Sequence, residues 1–461
     1  MKLIYSILFI LFSLPLFSQE LYTLEQCREM ALEHNRQKAI ANKQIEKAES
    51  DVRVYRSNFF PKFSAQGNYL LSSNKIDKNI GDVYLPTFLP DGQGGYLPNV
   101  NTVSPEGNPI FGMYAYLPEI PLELTLKNTW TAGVHLIQPL YMGGKIRASY
   151  AMSKIGRDIS YLNQELSRVE VILLVDQAYW ELVKTQELCV AAEKYNEVIT
   201  ELYRNVENAY DVGLKSKNDL LKVQVKVNEA KLQLRRAENG IILARMNLAH
   251  TIGLPLTQEI KTSNEIPVTE VNYTPNQFDI TPRPEYQMLS KQVELRNKDI
   301  KLIRSEFLPN LSLIAGWNYY DGAKLNGDKL LHGGSFSALV SVSIPLFQWG
   351  EGINKVKSKK AERQIMELQR LDAAEKMTLE VTRAHNQLDE SKLEVEMTTN
   401  SLEQAEENLK ISKEHYEVGL ENLADHLEAQ TLWQKAWAEY ISAKASMKLN
   451  ETKYLKASGQ L

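Results

Sequence analysis

The chain has 461 residues, 43% of them hydrophobic and 24% charged, with a formal net charge of −4 and an isoelectric point near 6.1. This is the composition of a folded protein, and without a basic surplus it argues against nucleic acid as a partner. Acidic and basic residues are interspersed along the chain, as on solvated helix faces.

Met1 and Lys2 give a positive start, and residues 3–17 form an apolar run. The run suits a signal peptide, residues 1–19, and is shorter than the roughly 20 apolar residues of a membrane-spanning helix. No later stretch is apolar enough to cross a bilayer as a helix, so membrane entry requires strands in a closed barrel. The two cysteines, Cys27 and Cys189, lie far apart in helical contexts and read as buried thiols.

The chain contains one unit written twice. Shifted by 248 residues, Lys43, Gln44, Asp51, Arg56, Ser57, Phe59, Pro61 and Ser64 fall on Lys291, Gln292, Asp299, Arg304, Ser305, Phe307, Pro309 and Ser312. Shifted by 206, Tyr210, Val212, Gly213, Leu214, Asp219 and Gln224 fall on Tyr416, Val418, Gly419, Leu420, Asp425 and Gln430. The difference, 248 − 206 = 42, places 42 extra residues in the first copy. The boundaries that follow are a first repeat over 20–253, a polar crossover linker over 254–282 and a second repeat over 283–461.

Each copy reads helix, strand, loop, strand, long helix, turn, long helix. The first helix, from about Leu24 to Asn58, and its counterpart, from about Pro284 to Phe307, each stop before a proline, Pro61 or Pro309. In the next segments Phe336, Ala338, Val340, Val342 and Ile344 alternate with Ser335, Ser337, Ser341 and Ser343. Trp130, Ala132, Val134 and Leu136 do the same, as do Leu311, Leu313, Ala315 and Trp317. Such alternation suits membrane strands with one face to lipid and one to a wet lumen, and suits an ordinary half-buried sheet equally. Between the first two strands lies a proline-rich outer loop, 76–127.

The helical stretches settle the choice. Val223, Val227, Ala230, Leu234, Ala237, Ile241, Ala244 and Leu248 keep a three-four step, and Ala429, Trp433, Ala436, Tyr440, Ala443 and Met447 repeat it. A sustained step of this kind packs as a left-handed coiled coil. Sixty-five helical residues rise roughly 100 Å, too long for a compact globule. Four strands cannot close a barrel, and an open edge cannot lie in lipid. Other copies must complete the sheet, and three give 12 strands.

The paired motif Tyr-x-Val-Gly-Leu, with an aspartate six residues after the glycine, stands at Tyr210–Leu214 with Asp219 and at Tyr416–Leu420 with Asp425. On it the chain resembles the TolC-type outer-membrane efflux protein family over nearly its whole mature length. The implied fold is α+β, with long antiparallel helical hairpins in a helical barrel, four strands per protomer of a trimeric 12-stranded β-barrel, and an internal two-fold repeat.

That resemblance implies a homotrimer in outer-membrane lipid, forming the exit duct of a tripartite efflux or type I secretion system. Its partners would be a periplasmic adaptor (a membrane fusion protein) and an inner-membrane pump of RND or ABC type. It casts Val212, Gly213, Leu214, Val418, Gly419 and Leu420, at tips near 211–216 and 417–422, as adaptor-docking points. As plain structure, the same residues are helix-turn-helix corners. Asp425 and Glu428, three apart on one helix, would make stacked carboxylate rings at a periplasmic constriction. Asp219 and Tyr416 match positions that hold neighbouring hairpins closed, although Asp219 also suits a simple helix cap. Where one member of the family has a basic residue two after the second tip glycine, this chain has Glu421, which argues against an arginine-based lock.

No HExxH, GxSxG, P-loop or dinucleotide fingerprint is present, so no catalytic, cofactor or metal residues are expected. The competing expectation is a periplasmic coiled-coil scaffold or adaptor without a pore.

Overall fold

A computed structural model describes residues 21–73, 75–263, 265–267 and 279–461. The expected signal peptide and most of the second half of the linker fall outside the described residues. The chain divides into two compact units, one containing residues up to Arg53, Ser149–Ile300 and Val356–Leu461, the other Val54–Ala148 and Lys301–Lys355.

The first unit is helical. Helices α1 (Leu24–His34) and α2 (Arg36–Ser57) replace the single expected first helix, because Asn35 is extended at φ −68° and ψ 133°. Thr23 starts α1 with a reciprocal capping box to Gln26. Two hairpins follow, α3 (Lys145–Asp211) with α4 (Lys217–Thr251), and α6 (Glu351–Glu417) with α7 (Leu423–Ala457); α5 (Pro284–Ser305) is the counterpart of α2. Both hairpins have arms of 67 and 35 residues, and all four boundaries are offset by 206 (351 − 145, 417 − 211, 423 − 217, 457 − 251). The repeat seen in the sequence is therefore a repeat of structure.

Small and branched side chains fill the hairpin seams. Val223, Val227 and Ala230 of α4 meet Tyr195, Ile199, Leu202 and Val206 of α3, and Leu423 and Leu427 of α7 join the same cluster. Higher on the same helices, Cys27 and Ala31 of α1 pack on Val171, Val175 and Leu182 of α3 and on Leu248 of α4. Both cysteines are free and buried. Burial and the neighbouring Glu25 push the Cys27 thiol up to about 12. Among the described residues no helix is long and apolar enough to cross a membrane.

The second unit is a sheet. Its long strands are β1 (Lys62–Leu70), β10 (Thr129–Met142), β11 (Asn310–Leu325) and β12 (Asp328–Ser343), paired antiparallel in the order β1-β10-β11-β12. The register sorts the two faces by polarity. On one face lie Phe63, Ala65 and Tyr69, then Leu136, Val134 and Trp130, then Ala315, Trp317 and Tyr319, then Ala338 and Phe336. The other carries Ser64, Gln66 and Asn68, His135 and Thr131, Gly316 and Asn318, and Ser337 and Ser335, together with one apolar row, Ile137, Ile314 and Leu339. On the apolar face Phe63, Tyr69, Trp317 and Phe336 are exposed, and Trp130 stacks on Tyr319 at 5.2 Å.

The outer loop is more ordered than its prolines suggest. Residues 76–127 belong to a hairpin of short paired strands: β2 (Lys75–Ile80) with β9 (Ile120–Thr125), β3 (Val83–Pro86) with β8 (Tyr114–Leu117), β4 (Phe88–Pro90) with β5 (Tyr96–Pro98), and β6 (Val100–Val103) with β7 (Pro109–Phe111). Proline lacks the ladder donor; Pro86, Pro90, Pro98 and Pro109 stand at strand ends, Pro121 is the second residue of β9, and each strand is three to six residues long.

Candidate functional site

Each hairpin reverses through the same turn. Gly213 and Gly419 sit at φ 80° and 81°, a region glycine enters without strain. Leu214 N donates to Ala209 O and Leu420 N to His415 O, both at 2.8 Å, which closes the outgoing helices as Schellman caps. Ser216 caps α4 by accepting from Asp219 N, and Asn422 caps α7 by accepting from Ala424 N and Asp425 N. The turns leave Val212, Leu214, Val418 and Leu420 between 70 and 79% exposed. These four apolar side chains have no cover within the protomer.

The other singled-out residues lie just inside the turns. Asp425 and Glu428 are exposed, on the side of α7 opposite the buried His426, Leu427, Ala429 and Gln430. Asn422 Nδ2 donates to Asp425 at 2.7 Å. Asp219 accepts from the Ser216 hydroxyl at 2.8 Å, in the first turn of α4, where the helix dipole favours a carboxylate. Asp219 and Tyr416 are not hydrogen-bonded to one another in the protomer. Tyr416 instead lies flat on His426, with centroids 5.0 Å apart and planes 4° from parallel, and Lys215 Nζ sits 4.7 Å from the centre of the tyrosine ring.

Reasoning from sequence missed this arrangement. His426 is 4% exposed and held by Ser412 and Gln430. A signal was available: His426 and Gln430 are one turn apart and share the apolar side of α7 with Leu423 and Leu427. Glu421, the departure noted above, accepts from the Ser412 hydroxyl at 2.9 Å. The basic residue two positions past a tip glycine occurs in the first copy, as Lys215.

A sheet apolar on one face and mostly polar on the other, in a chain that also carries matched hairpins of 67 and 35 residues, defines the class: an outer-membrane channel subunit. The chain belongs to the outer membrane efflux protein family, whose model matches residues 27–254 and 281–460. It is a channel protein and not an enzyme.

Among solved structures it is similar to the Campylobacter jejuni CmeC outer membrane channel, with 21% identity and TM-score 0.73 over 95% of this chain and 85% of that one. The Vibrio cholerae outer membrane protein VceC is 14% identical, with TM-score 0.71 over 95% and 96% of the two chains. For the open state of the Neisseria gonorrhoeae MtrE outer membrane channel the values are 18%, 0.72, 95% and 88%. At these identities the likeness is one of fold. The comparison with curated proteins finds no match.

Proposed function

We propose that three copies of this chain close into one tunnel, the exit duct of a tripartite efflux or type I secretion system. The observation that carries the proposal is the sheet: among the described residues β1 and β12 each pair on one side only, while one face of the sheet is lipid-like and the other mostly polar. Lipid offers no hydrogen bonds to an open edge, so β12 of one copy must meet β1 of the next. Three copies of four strands make an even barrel of 12.

The helices support the same closure. Ile365, Leu379 and Leu393 stand on α6 at 14-residue intervals, two heptads apart, exposed in the protomer, and Leu221, Val225 and Leu232 form a similar exposed stripe on α4. These stripes suit hairpins of neighbouring copies. On this reading residues 1–19 direct export, the strands lie in the outer membrane and the hairpins extend into the periplasm.

The exposed Val-Gly-Leu tips, 211–216 and 417–422, are then where a periplasmic adaptor docks, on behalf of an inner-membrane pump. Asp425 and Glu428, exposed and on one side of α7, form the cation-attracting constriction. Asp219 and Tyr416 belong to the same gate. Block of single-channel current by a trivalent cation in a planar bilayer tests the assignment. Replacing Asp425 and Glu428 together by Ala abolishes the block if they line the constriction; unchanged block refutes it.

A further inference from the structure

The internal repeat supplies a control for the second tip. With the 206-residue offset, Ser412 and His426 correspond to Val206 and Leu220, and both of those belong to the apolar cluster of the first hairpin. At the second tip the buried Val206 and the partly buried Leu220 are replaced by a polar pair that is deeply buried. Ser412 and His426 are each 4% exposed, and Gln430 is 1% exposed. Removing polar groups from water in this way is costly unless every hydrogen has a partner.

The partners fix one protonation state. The single hydroxyl proton of Ser412 goes to Glu421 Oε1 at 2.9 Å. His426 Nδ1, 3.0 Å from that hydroxyl, must then donate to it, and Gln430 Nε2 donates to His426 Nε2 at 3.0 Å. The imidazole is therefore neutral, with its proton on Nδ1. A second proton on Nε2 would face the Gln430 amide hydrogens. Turning the amide would present Oε1, which is buried without a partner, but would bury the NH2 group unpaired in its place.

We infer that Lys215, Tyr416 and His426 form a clamp joining the two hairpin tips of each protomer, and that acidification releases it through His426. The inference rests on reading the tips as the channel's gate. Lys215 belongs to the first tip, and Tyr416 and His426 to the two arms of the second. The tyrosine ring takes both the ammonium, 4.7 Å from its centroid, and the stacked imidazole. Lys215 thereby fills the role left open by the acidic residue at 421.

Around His426, burial is the strongest influence and disfavours the imidazolium; Lys413 of α6 acts in the same direction, while Glu421 of the turn and Glu417 of α6 oppose it. From the first hairpin come Lys215, over the Tyr416 ring, and Tyr203, hydrogen-bonded to Glu207 and packed with Tyr416 in the same apolar cluster. The net effect holds His426 below its ordinary value. A parted tip would return it to about 6.5, the value in water. The closed form thus binds fewer protons. Its advantage is complete above about pH 6.5 and declines as pH falls below that value toward the depressed one.

Conductance of the full-length protein in a planar bilayer, followed from pH 8 to pH 5, tests the clamp. Wild type is expected to show a conductance rise below about pH 6.5. The double variant Ser412→Val with His426→Leu copies the first hairpin's apolar pair, so it keeps a packable core and loses the rise. Lys215→Met, a partly exposed change, is expected to conduct at pH 7.5 within about twofold of acidified wild type. A flat wild-type profile from working channels overturns the clamp alone, as does a rise that survives in the double variant or a Lys215→Met channel matching wild type at pH 7.5. Absence of any conductance overturns the duct reading and the clamp with it.

Discussion

The guanidinium of Arg28 holds the carboxylate of Asp176 in a two-bond fork, Nε to Oδ1 at 2.7 Å and Nη2 to Oδ2 at 2.5 Å. Asp176 is fully buried on α3 and also accepts from the Thr452 hydroxyl of α7 at 2.5 Å. One carboxylate therefore joins the first helix to both hairpins. Removing its cation strands a buried charge, which costs about 3–5 kcal/mol. Arg28→Ala is expected to lower the unfolding free energy, obtained from the denaturant midpoint and slope, by that amount. Replacing Arg28, Asp176 and Thr452 together by apolar residues of similar volume should cost less than Arg28→Ala alone.

The tip glycines yield a prediction about backbone strain alone. A Cβ at Gly213 or Gly419 would meet nothing within 4 Å, so the positive φ is the whole obstacle. Gly419→Val is expected to cost about 1–2 kcal/mol, and Gly419→Asn distinctly less, because asparagine tolerates the left-handed region. Thermal unfolding of the two variants checks the order; equal losses would contradict it.

Cys27 and Cys189 are expected to resist alkylation while the protein is folded. Burial raises both thiols, Cys27 to about 12, which leaves little thiolate at neutral pH. Mass spectrometry after maleimide treatment should find both thiols intact in buffer and both modified in denaturant. Rapid labelling of folded protein would show that α1 opens readily.

Much of the fold was legible because it is periodic. Two offsets, 248 and 206, carry the repeat, and the arms of 67 and 35 residues obey the second at every end. Alternation in 335–344 marked β12, and proline stops marked the ends of α2 and α5. Less legible were features that depend on individual partners. Nothing periodic marks Asn35 as a break between α1 and α2; its side chain spans 216 positions of sequence to reach Thr251 O at 2.9 Å. Prolines in 76–127 suggested loop, yet Pro86, Pro90, Pro98 and Pro109 stand at strand ends, where a missing N–H is readily accommodated. At the tips, the glycines and carboxylates were visible, but the Tyr416–His426 stack was not. It joins α6 to α7, and the sequence lists their polar residues without showing which ones face inward.

The exposed leucines of α6 are expected to serve assembly more than protomer stability. Leu379 and Leu393 are 69 and 57% exposed in the protomer, so replacing both by Lys removes little of its own core. The double variant should retain its helical circular dichroism and extract as a smaller species by size-exclusion chromatography. Collapse of the helical signal would place these residues in the protomer's own packing.

Native mass spectrometry of the detergent-extracted wild-type protein, with the same sample reconstituted in a planar bilayer, tests the central claim most directly. The account predicts a trimer that forms cation-preferring pores. A stable monomer that leaves the bilayer silent would contradict it.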